Sequence, residues 1–178
     1  MRVFLGVPVT PDIRNKASEI IKEFKIKLPE CRWTKLENLH ITLKFYGEIS
    51  DEELNNIKLK INNITPGIKR GKLILTQLSR FDRRDRVVFI VDVIQENNWL
   101  TEFLLNLEKN EKIDYTAHLT LGRLKIKPAI RMKIAKFLKY YETKKDYFLN
   151  DRINNPEIVL YKSTLTQDGP IYEVLTKW

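Results

Sequence analysis

The two histidines of this 178-residue chain stand in the same short sequence pattern. His40 and His118 are each followed by an apolar residue, a threonine and a leucine. Histidine is the side chain whose unperturbed pKa lets it give or take a proton near neutral pH. Two histidines in matched surroundings therefore predict a general acid and a general base that face one substrate. Thr42 and Thr120, the threonines of the two motifs, are candidates to hold its oxygen atoms.

Each motif has the alternation of a half-buried β-strand, in which successive side chains point to opposite faces. For the first motif the predicted inward face is Leu39, Ile41, Leu43 and Phe45, and the predicted outward face is His40, Thr42 and Lys44. For the second motif the inward residues are Ala117, Leu119 and Leu121, opposite His118 and Thr120. Each strand thus presents an imidazole beside a hydroxyl, and Lys44 is expected to add positive potential to the same face.

An internal repeat with an offset of 78 residues positions these strands. The offset separates His40 from His118, and it also separates two predicted helix starts, Ser50 and Pro128. Hydrophobic periodicity predicts the order strand, helix, His strand, helix, strand, strand in both halves. We therefore expect a single α+β domain over residues 1–178, with pseudo-repeats at roughly 1–93 and 94–178. Its two lobes, related by a pseudo-twofold axis, would each carry an antiparallel sheet with outer helices, and the His strands would line a central groove.

Composition restricts the partners and the compartment. The net charge of +9 favours a polyanionic partner such as nucleic acid. Cys31 is the single cysteine, so no internal disulfide can form, and a reducing compartment is the default expectation. The sequence has no apolar run long enough to span a membrane and no visible signal peptide. A cytoplasmic protein without a membrane association is therefore expected.

Further candidate contacts with a nucleic acid have two interpretations each. Arg83, Arg84 and Arg86 belong to an arginine-rich segment that either grips an RNA backbone or pairs internally with its own aspartates. Trp33 and Tyr115 lie just before the two His strands, and each either stacks on a base or belongs to the core.

The residues around both histidines resemble the signatures of the 2H phosphoesterases. Among these, the chain is most similar to the RNA 2′,3′-cyclic phosphodiesterases, also known as 2′–5′ RNA ligases. The matching segments are Arg32-Trp33, Asn38 to Glu48, His118 to Arg123, Val159 to Ser163 and Gly169 to Tyr172. The chain departs from the family at Ala117, where proline is usual, and at Tyr46, where an aliphatic residue is usual.

The resemblance implies a reaction and roles for individual residues. The reaction is metal-independent hydrolysis of RNA 2′,3′-cyclic phosphate ends to 2′-phosphates, with 2′–5′ ligation as its reverse. His118 would be the base that activates water and His40 the acid toward O3′, although the near-symmetry of the motifs leaves the opposite assignment open. Arg123 would bind phosphate, provided that a bulge near Gly122 turns it toward the His face; otherwise it forms a salt bridge at the sheet edge.

The same resemblance implies no cofactor and no metal ion. The expected partners are RNAs with 2′,3′-cyclic phosphate ends, with tRNA fragments among the candidates, and the expected state is a monomer. Two alternatives remain open: a non-catalytic RNA-binding module, and a phosphodiesterase of small cyclic nucleotides. Two intact His–Thr pairs argue against the binding module, because a protein that only binds RNA does not need them.

Overall fold

The computed structural model describes residues 1–109 and 114–178. Its strands are β1 (Arg2–Pro8), β2 (Arg32–Trp33), β3 (His40–Glu48), β4 (Leu73–Asp82), β5 (Arg86–Gln95), β6 (His118–Lys125), β7 (Arg152–Ile153), β8 (Val159–Thr166) and β9 (Gly169–Lys177). Its helices are α1 (Pro11–Lys27), α2 (Asp51–Ile64), α3 (Trp99–Glu108) and α4 (Arg131–Thr143). None of these helices is both long and apolar enough to cross a membrane. The longer elements follow the predicted order, whereas the two-residue strands β2 and β7 have no periodicity that predicts them.

The first two helices begin where capping residues predict. Thr10 is the N-cap of α1, its hydroxyl accepts a hydrogen bond from the Ile13 amide, and proline occupies the first helical position. Ser50 and Glu53 form a complete capping box at the start of α2. The helix predicted from Pro128 starts as a short 3₁₀ turn, and α4 follows at Arg131. These local signals mark the starts of the helices on either side of the first His strand, whereas α3 and α4 begin without a side-chain cap.

The described strands form one antiparallel sheet in the order β7-β4-β5-β6-β3-β1-β8-β9, with β2 added beside β6. The two His strands, β3 and β6, are neighbours at its centre, and they align at a single residue pair, Ile41 with Leu119. In this order four described strands lie on each side of the junction, and β2 is a fifth on the side of β6. The predicted α+β fold is confirmed, and the two expected sheets are joined into one curled sheet.

The halves of the sheet exchange hairpins between the two sequence repeats. The β4–β5 hairpin, from the first repeat, pairs with β6, and the β8–β9 hairpin, from the second repeat, is attached to β1. The boundary near residue 93 therefore does not separate the two lobes in space. Each lobe needs strands from both repeats, and the buried side chains of both belong to one hydrophobic cluster.

Candidate active site

Each His strand contains a β-bulge at the leucine that follows its threonine. The extra residues are Leu43 in β3 and Leu121 in β6. Their positions follow from the aligned pairs on either side, which are Gly6–Thr42 and Leu5–Lys44 for β3, and Ile90–Thr120 and Phe89–Gly122 for β6. A bulge interrupts the alternation of side chains between the two faces. The residues directly after the bulge consequently face the side opposite to the one that simple alternation predicts, and in β3 a second irregularity at Tyr46 reverses the alternation again.

The bulge at Leu43 corrects two predictions about β3. Lys44 points toward the helices, where it forms a salt bridge with Glu108 of α3, so it does not share the face of His40. Phe45, expected in the core, is 63% exposed and lies beside Phe4, with 5.8 Å between ring centroids. The predicted contribution of Lys44 to the site is therefore wrong, because its ammonium group pairs with Glu108 on the opposite face of the sheet.

The corresponding bulge at Leu121 brings Arg123 to the His face. A Cβ atom added at Gly122 would lie 2.6 Å from the Trp33 ring, so position 122 faces the core. The next residue, Arg123, then points to the opposite face, where its charge acts on His40 and Tyr172. The expected change of direction is present, but the bulge lies at Leu121, and Gly122 is required for the close approach to Trp33.

The two imidazole rings are held in the same way. Nδ1 of His40 lies 2.7 Å from the Asn38 carbonyl oxygen, and Nδ1 of His118 lies 2.8 Å from that of Thr116. A carbonyl oxygen only accepts hydrogen bonds, so Nδ1 is the protonated nitrogen in both rings. Nε2 of each ring is left to exchange a proton with a substrate. In His40 this atom lies 2.9 Å from the Thr42 hydroxyl, which donates to it while the ring is neutral.

The central strand pair brings the two motifs together. Antiparallel continuation of the Ile41–Leu119 pair places His40 opposite Thr120 and Thr42 opposite His118. The two histidines thus occupy diagonal corners of a four-residue patch, and the two threonines occupy the other corners. This arrangement has the symmetry that two-sided acid–base chemistry on one central atom requires.

The environment of His40 favours its neutral form. Burial is the main cause that lowers its pKa to about 4, and the positive charges of Arg123 and His118 lower it further. The hydrogen bond to Asn38 acts in the opposite direction. Aromatic rings provide the burial: Phe4 and Tyr172 lie 4.7 Å and 5.3 Å from the His40 ring, measured between centroids.

Two hydroxyl groups brace the threonines of the motifs from outside the strands. Thr34 donates a 3.0 Å hydrogen bond to the carbonyl oxygen of Thr120, and Tyr115 donates a 2.9 Å hydrogen bond to that of Thr42. Each donor lies just before one His strand and binds the other. The Tyr115 hydroxyl is therefore engaged with the strand of the first motif, and burial raises the pKa of Tyr115 above the ordinary tyrosine value. This contact fits a structural role rather than stacking on a base.

Trp33 and Cys31 belong to the buried side of the sheet. Trp33 is 7% exposed, stacks on Phe89 at 5.4 Å, and donates its indole hydrogen to the carbonyl of Leu28. The predicted stacking of Trp33 on a base is wrong, because its ring is packed between α1 and the sheet. Burial raises the pKa of the Cys31 thiol to about 12, which keeps it protonated and unsuited to nucleophilic attack.

The arginine-rich segment, residues 80–86, contains both internally paired and unpaired arginines among the described residues. Arg80 pairs with Asp82 and with Glu142 of α4, and Arg86 pairs with Asp85. Arg83 and Arg84 are exposed and outside the salt bridges of the described residues. Internal pairing therefore accounts for part of the segment, and two guanidinium groups remain available to a polyanion.

Sequence reasoning did not assign three residues that surround His40 or its neighbour Arg123. Asn38 is 6% exposed, and its side chain donates a 2.7 Å hydrogen bond to the carbonyl oxygen of Pro170, which ties the β8–β9 hairpin to the first motif. Tyr172 of that hairpin lies edge-on to His40. Arg32 aligns directly with Arg123 across β2 and β6. All three belong to segments that carry the family resemblance, but only the fold brings them to one place.

Comparisons with known proteins confirm the family that the sequence resembles. The family model for LigT like Phosphoesterase matches residues 7–89. The chain is 33% identical to the RNA 2′,3′-cyclic phosphodiesterase of Methanocaldococcus jannaschii, and the alignment covers all of both chains. It is 32% identical to the protein of the same name from Archaeoglobus fulgidus, over 98% of each chain.

Solved structures share the fold at lower sequence identity. A crystal structure of E. coli LigT complexed with NADP⁺ has a TM-score of 0.71 and 22% identity, covering 99% of this chain and 96% of that one. A crystal structure of a protein from Thermus thermophilus has a TM-score of 0.69 and 19% identity, covering 100% and 97%. These structures support the α+β architecture of one curled antiparallel sheet with helices.

Proposed function

Since this chain belongs to the family of LigT-like RNA 2′,3′-cyclic phosphodiesterases, we propose that it hydrolyses the 2′,3′-cyclic phosphate ends of RNA to 2′-phosphates without a metal ion. One observation carries this proposal at the level of chemistry. His40 and His118 lie on adjacent strands with the same Nδ1–carbonyl hydrogen bond, so both present Nε2 on the same face of the sheet. A site that only binds RNA does not require two imidazoles in the same tautomer.

In the proposed reaction, a water molecule attacks phosphorus and the bond from phosphorus to O3′ breaks. His118 accepts the proton of the water, and His40 donates a proton to O3′, so that a 2′-phosphate and a 3′-hydroxyl group result. Protonated His40 no longer accepts a hydrogen bond from Thr42, and the Thr42 hydroxyl becomes free to donate to a phosphate oxygen. Thr120 would donate from the opposite corner, and Arg123 would balance the charge of the phosphate.

This assignment sets a condition on His40. In the free protein its pKa of about 4 makes the ring neutral at pH 7, which is the form of a base. A bound phosphate anion between His40 and Arg123 offsets the charge of Arg123 and raises the pKa of His40. The bound anion thus supplies the conditions under which His40 acts as the acid. If the reaction runs in reverse with an RNA 5′-hydroxyl in place of water, the same groups form a 2′–5′ linkage.

We extend the proposal to the biological setting. The substrates are RNAs with cyclic phosphate ends, tRNA fragments among them, and residues 1–178 act as one bilobal domain and as a monomer in the cytoplasm. The exchange of hairpins between the two repeats supports a single domain, because neither repeat completes its half of the sheet alone. The single cysteine is compatible with a reducing compartment.

The test uses an RNA oligonucleotide that ends in a 2′,3′-cyclic phosphate, incubated with the protein in EDTA. We expect conversion by the wild-type chain and a loss of about a hundredfold or more in His40→Ala and in His118→Ala. Asn55→Ala, at an exposed position of α2, is the control and should retain the wild-type rate. Circular dichroism verifies the fold of each variant.

The outcomes separate the alternatives. Near wild-type turnover in a folded histidine variant refutes the two-histidine mechanism. Loss of activity in EDTA with recovery on adding zinc or manganese indicates a metal mechanism instead. Binding of the oligonucleotide without turnover favours the non-catalytic module, and turnover confined to mononucleoside cyclic phosphates favours the small-molecule phosphodiesterase.

A further inference from the structure

Two arginines face each other across neighbouring strands beside the candidate active site. Arg32 of β2 aligns directly with Arg123 of β6. Like charges at directly opposite positions of a sheet are destabilising unless something else compensates them. Neither arginine takes part in a salt bridge within residues 1–109 and 114–178. Within the described residues the pair therefore has no salt-bridge partner, and the one carboxylate that lines the same cavity as both arginines, that of Asp168, forms no salt bridge with either of them.

Both arginines line a cavity that shares two wall residues with the surroundings of His40. The cavity has a volume of about 360 Å³, and its walls include Asn38 and Tyr172, the two residues that contact His40 from its sides. Concave sites of this volume bind ligands of nucleotide size. The arginine pair is thus separated from His40 by two residues that His40 contacts, Asn38 and Tyr172.

The β8–β9 hairpin leaves room for the Arg32 guanidinium. A Cβ atom added at Gly169 would lie 3.2 Å from Nη2 of Arg32, and the φ angle of +115° at Gly169 also disfavours a side chain there. The tip of the hairpin therefore passes close to the guanidinium, which keeps Arg32 at the cavity. The hairpin is itself tied to Asn38 by the hydrogen bond from its side chain to Pro170.

Positive charge continues beyond the pair, away from the histidines. A second cavity of about 670 Å³ is also lined by Arg32 and Arg123, and Lys125 and Lys127 extend it. Its two carboxylates are already paired: Glu30 with Lys133, and Asp85 with Arg86. A chain of phosphates that passes over Arg32 into this second cavity would therefore meet cations, and the two carboxylates there are already paired.

We propose that Arg32 binds the phosphodiester that joins the terminal nucleotide of the RNA to the nucleotide before it. This inference rests on the proposed function, in which Arg123 stays with the reacting phosphate. Two adjacent phosphates of one strand then neutralise two adjacent guanidinium groups, each of which can donate two parallel hydrogen bonds. Recognition of the second phosphate distinguishes an RNA end from a mononucleotide and gives the site its preference for a polymer.

The experiment compares ligands that differ in that one phosphate. The probes are a dinucleotide with a terminal 2′-phosphate, the same dinucleotide with an uncharged methylphosphonate linkage, and the two matching 2′,3′-cyclic substrates. We expect Arg32→Gln to weaken binding of the charged dinucleotide about tenfold and to raise its KM similarly, with a smaller effect on kcat. Arg32→Lys should retain part of the affinity that Arg32→Gln loses, because lysine keeps the positive charge but cannot donate two parallel hydrogen bonds. Arg152→Gln removes an exposed arginine from β7 as the matched control.

The methylphosphonate linkage is the decisive comparison. The wild-type chain should bind the uncharged dinucleotide about as weakly as Arg32→Gln binds the charged one. Arg32→Gln should bind the uncharged dinucleotide with little less affinity than the wild-type chain does. Equal losses by Arg32→Gln on both dinucleotides overturn the proposal, as does unchanged binding of the charged one. The binding measurement holds even if no cyclic substrate is hydrolysed, a result that would refute the proposed function alone.

Discussion

His40 should remain uncharged in the free protein far below the pH at which a histidine usually takes up its proton. Burial between aromatic rings, with the charge of Arg123 nearby, holds its pKa at about 4, whereas its ordinary value is 6.5. As the pH falls through 6.5, the unfolded chain binds this proton before the folded chain does. The free energy of unfolding therefore decreases between pH 6.5 and pH 4 and becomes constant, for this group, below that range.

The size of the effect follows from the two pKa values. At roughly 1.4 kcal/mol per pH unit, the difference amounts to about 3 kcal/mol of unfolding free energy. His40→Asn removes the titrating group. The difference in stability between the wild-type chain and this variant should therefore change by about 3 kcal/mol, in favour of the variant, from pH 7.5 to pH 3.5. Chemical denaturation at both pH values measures it, since the other titrating groups are common to the two proteins.

Imidazole NMR signals provide a direct measurement, because the chain has two histidines and His40→Asn assigns them. We expect the pH midpoint of the His40 titration to lie well below 6.5. In Arg123→Gln this midpoint should rise, because a positive charge near His40 is lost. Binding of a nucleoside 2′-phosphate should also raise the midpoint. A midpoint at or above 6.5 in the free protein would refute the burial argument. A midpoint that stays near 4 with the phosphate bound would instead make His40 the base.

Three further predictions concern the RNA, the product and the fold. Replacing Arg83, Arg84 and Arg86 together should weaken binding of long RNA and flatten its salt dependence, with little effect on a dinucleotide; an unchanged log–log salt slope assigns the segment to structure alone. Phosphorus NMR should find the 2′-phosphate as the single product, since two threonines fix the ring from both sides; a mixture shows that they do not, and a pure 3′-phosphate means that O2′ leaves. Gly122→Ala should lower the unfolding free energy by about 1–3 kcal/mol, because its Cβ atom would overlap the Trp33 ring; thermal melts of this variant and of Gly67→Ala, which has open space, test the difference.

The sequence by itself determined the features that depend on neighbouring residues. Thr10 and the capping box at Ser50 marked helix starts, because a cap needs partners only three positions away. The repeated His-x-Thr pattern indicated two related strands, and alternation placed His40 and His118 on a common type of face. The family resemblance extended this local information to a fold, a reaction and a phosphate-binding role for Arg123.

The tertiary structure decided which face each later residue occupies. Alternation placed Lys44 outward and Phe45 inward, and the bulge at Leu43 reversed both. A bulge depends on how a strand aligns with its neighbour, so the strand's own sequence does not reveal it. Likewise, Trp33 is packed against Phe89, and the alignment of Arg32 with Arg123 joins residues far apart in the chain. Such contacts form only when distant segments pair in one sheet, and for that reason the surroundings of the two histidines required the folded structure.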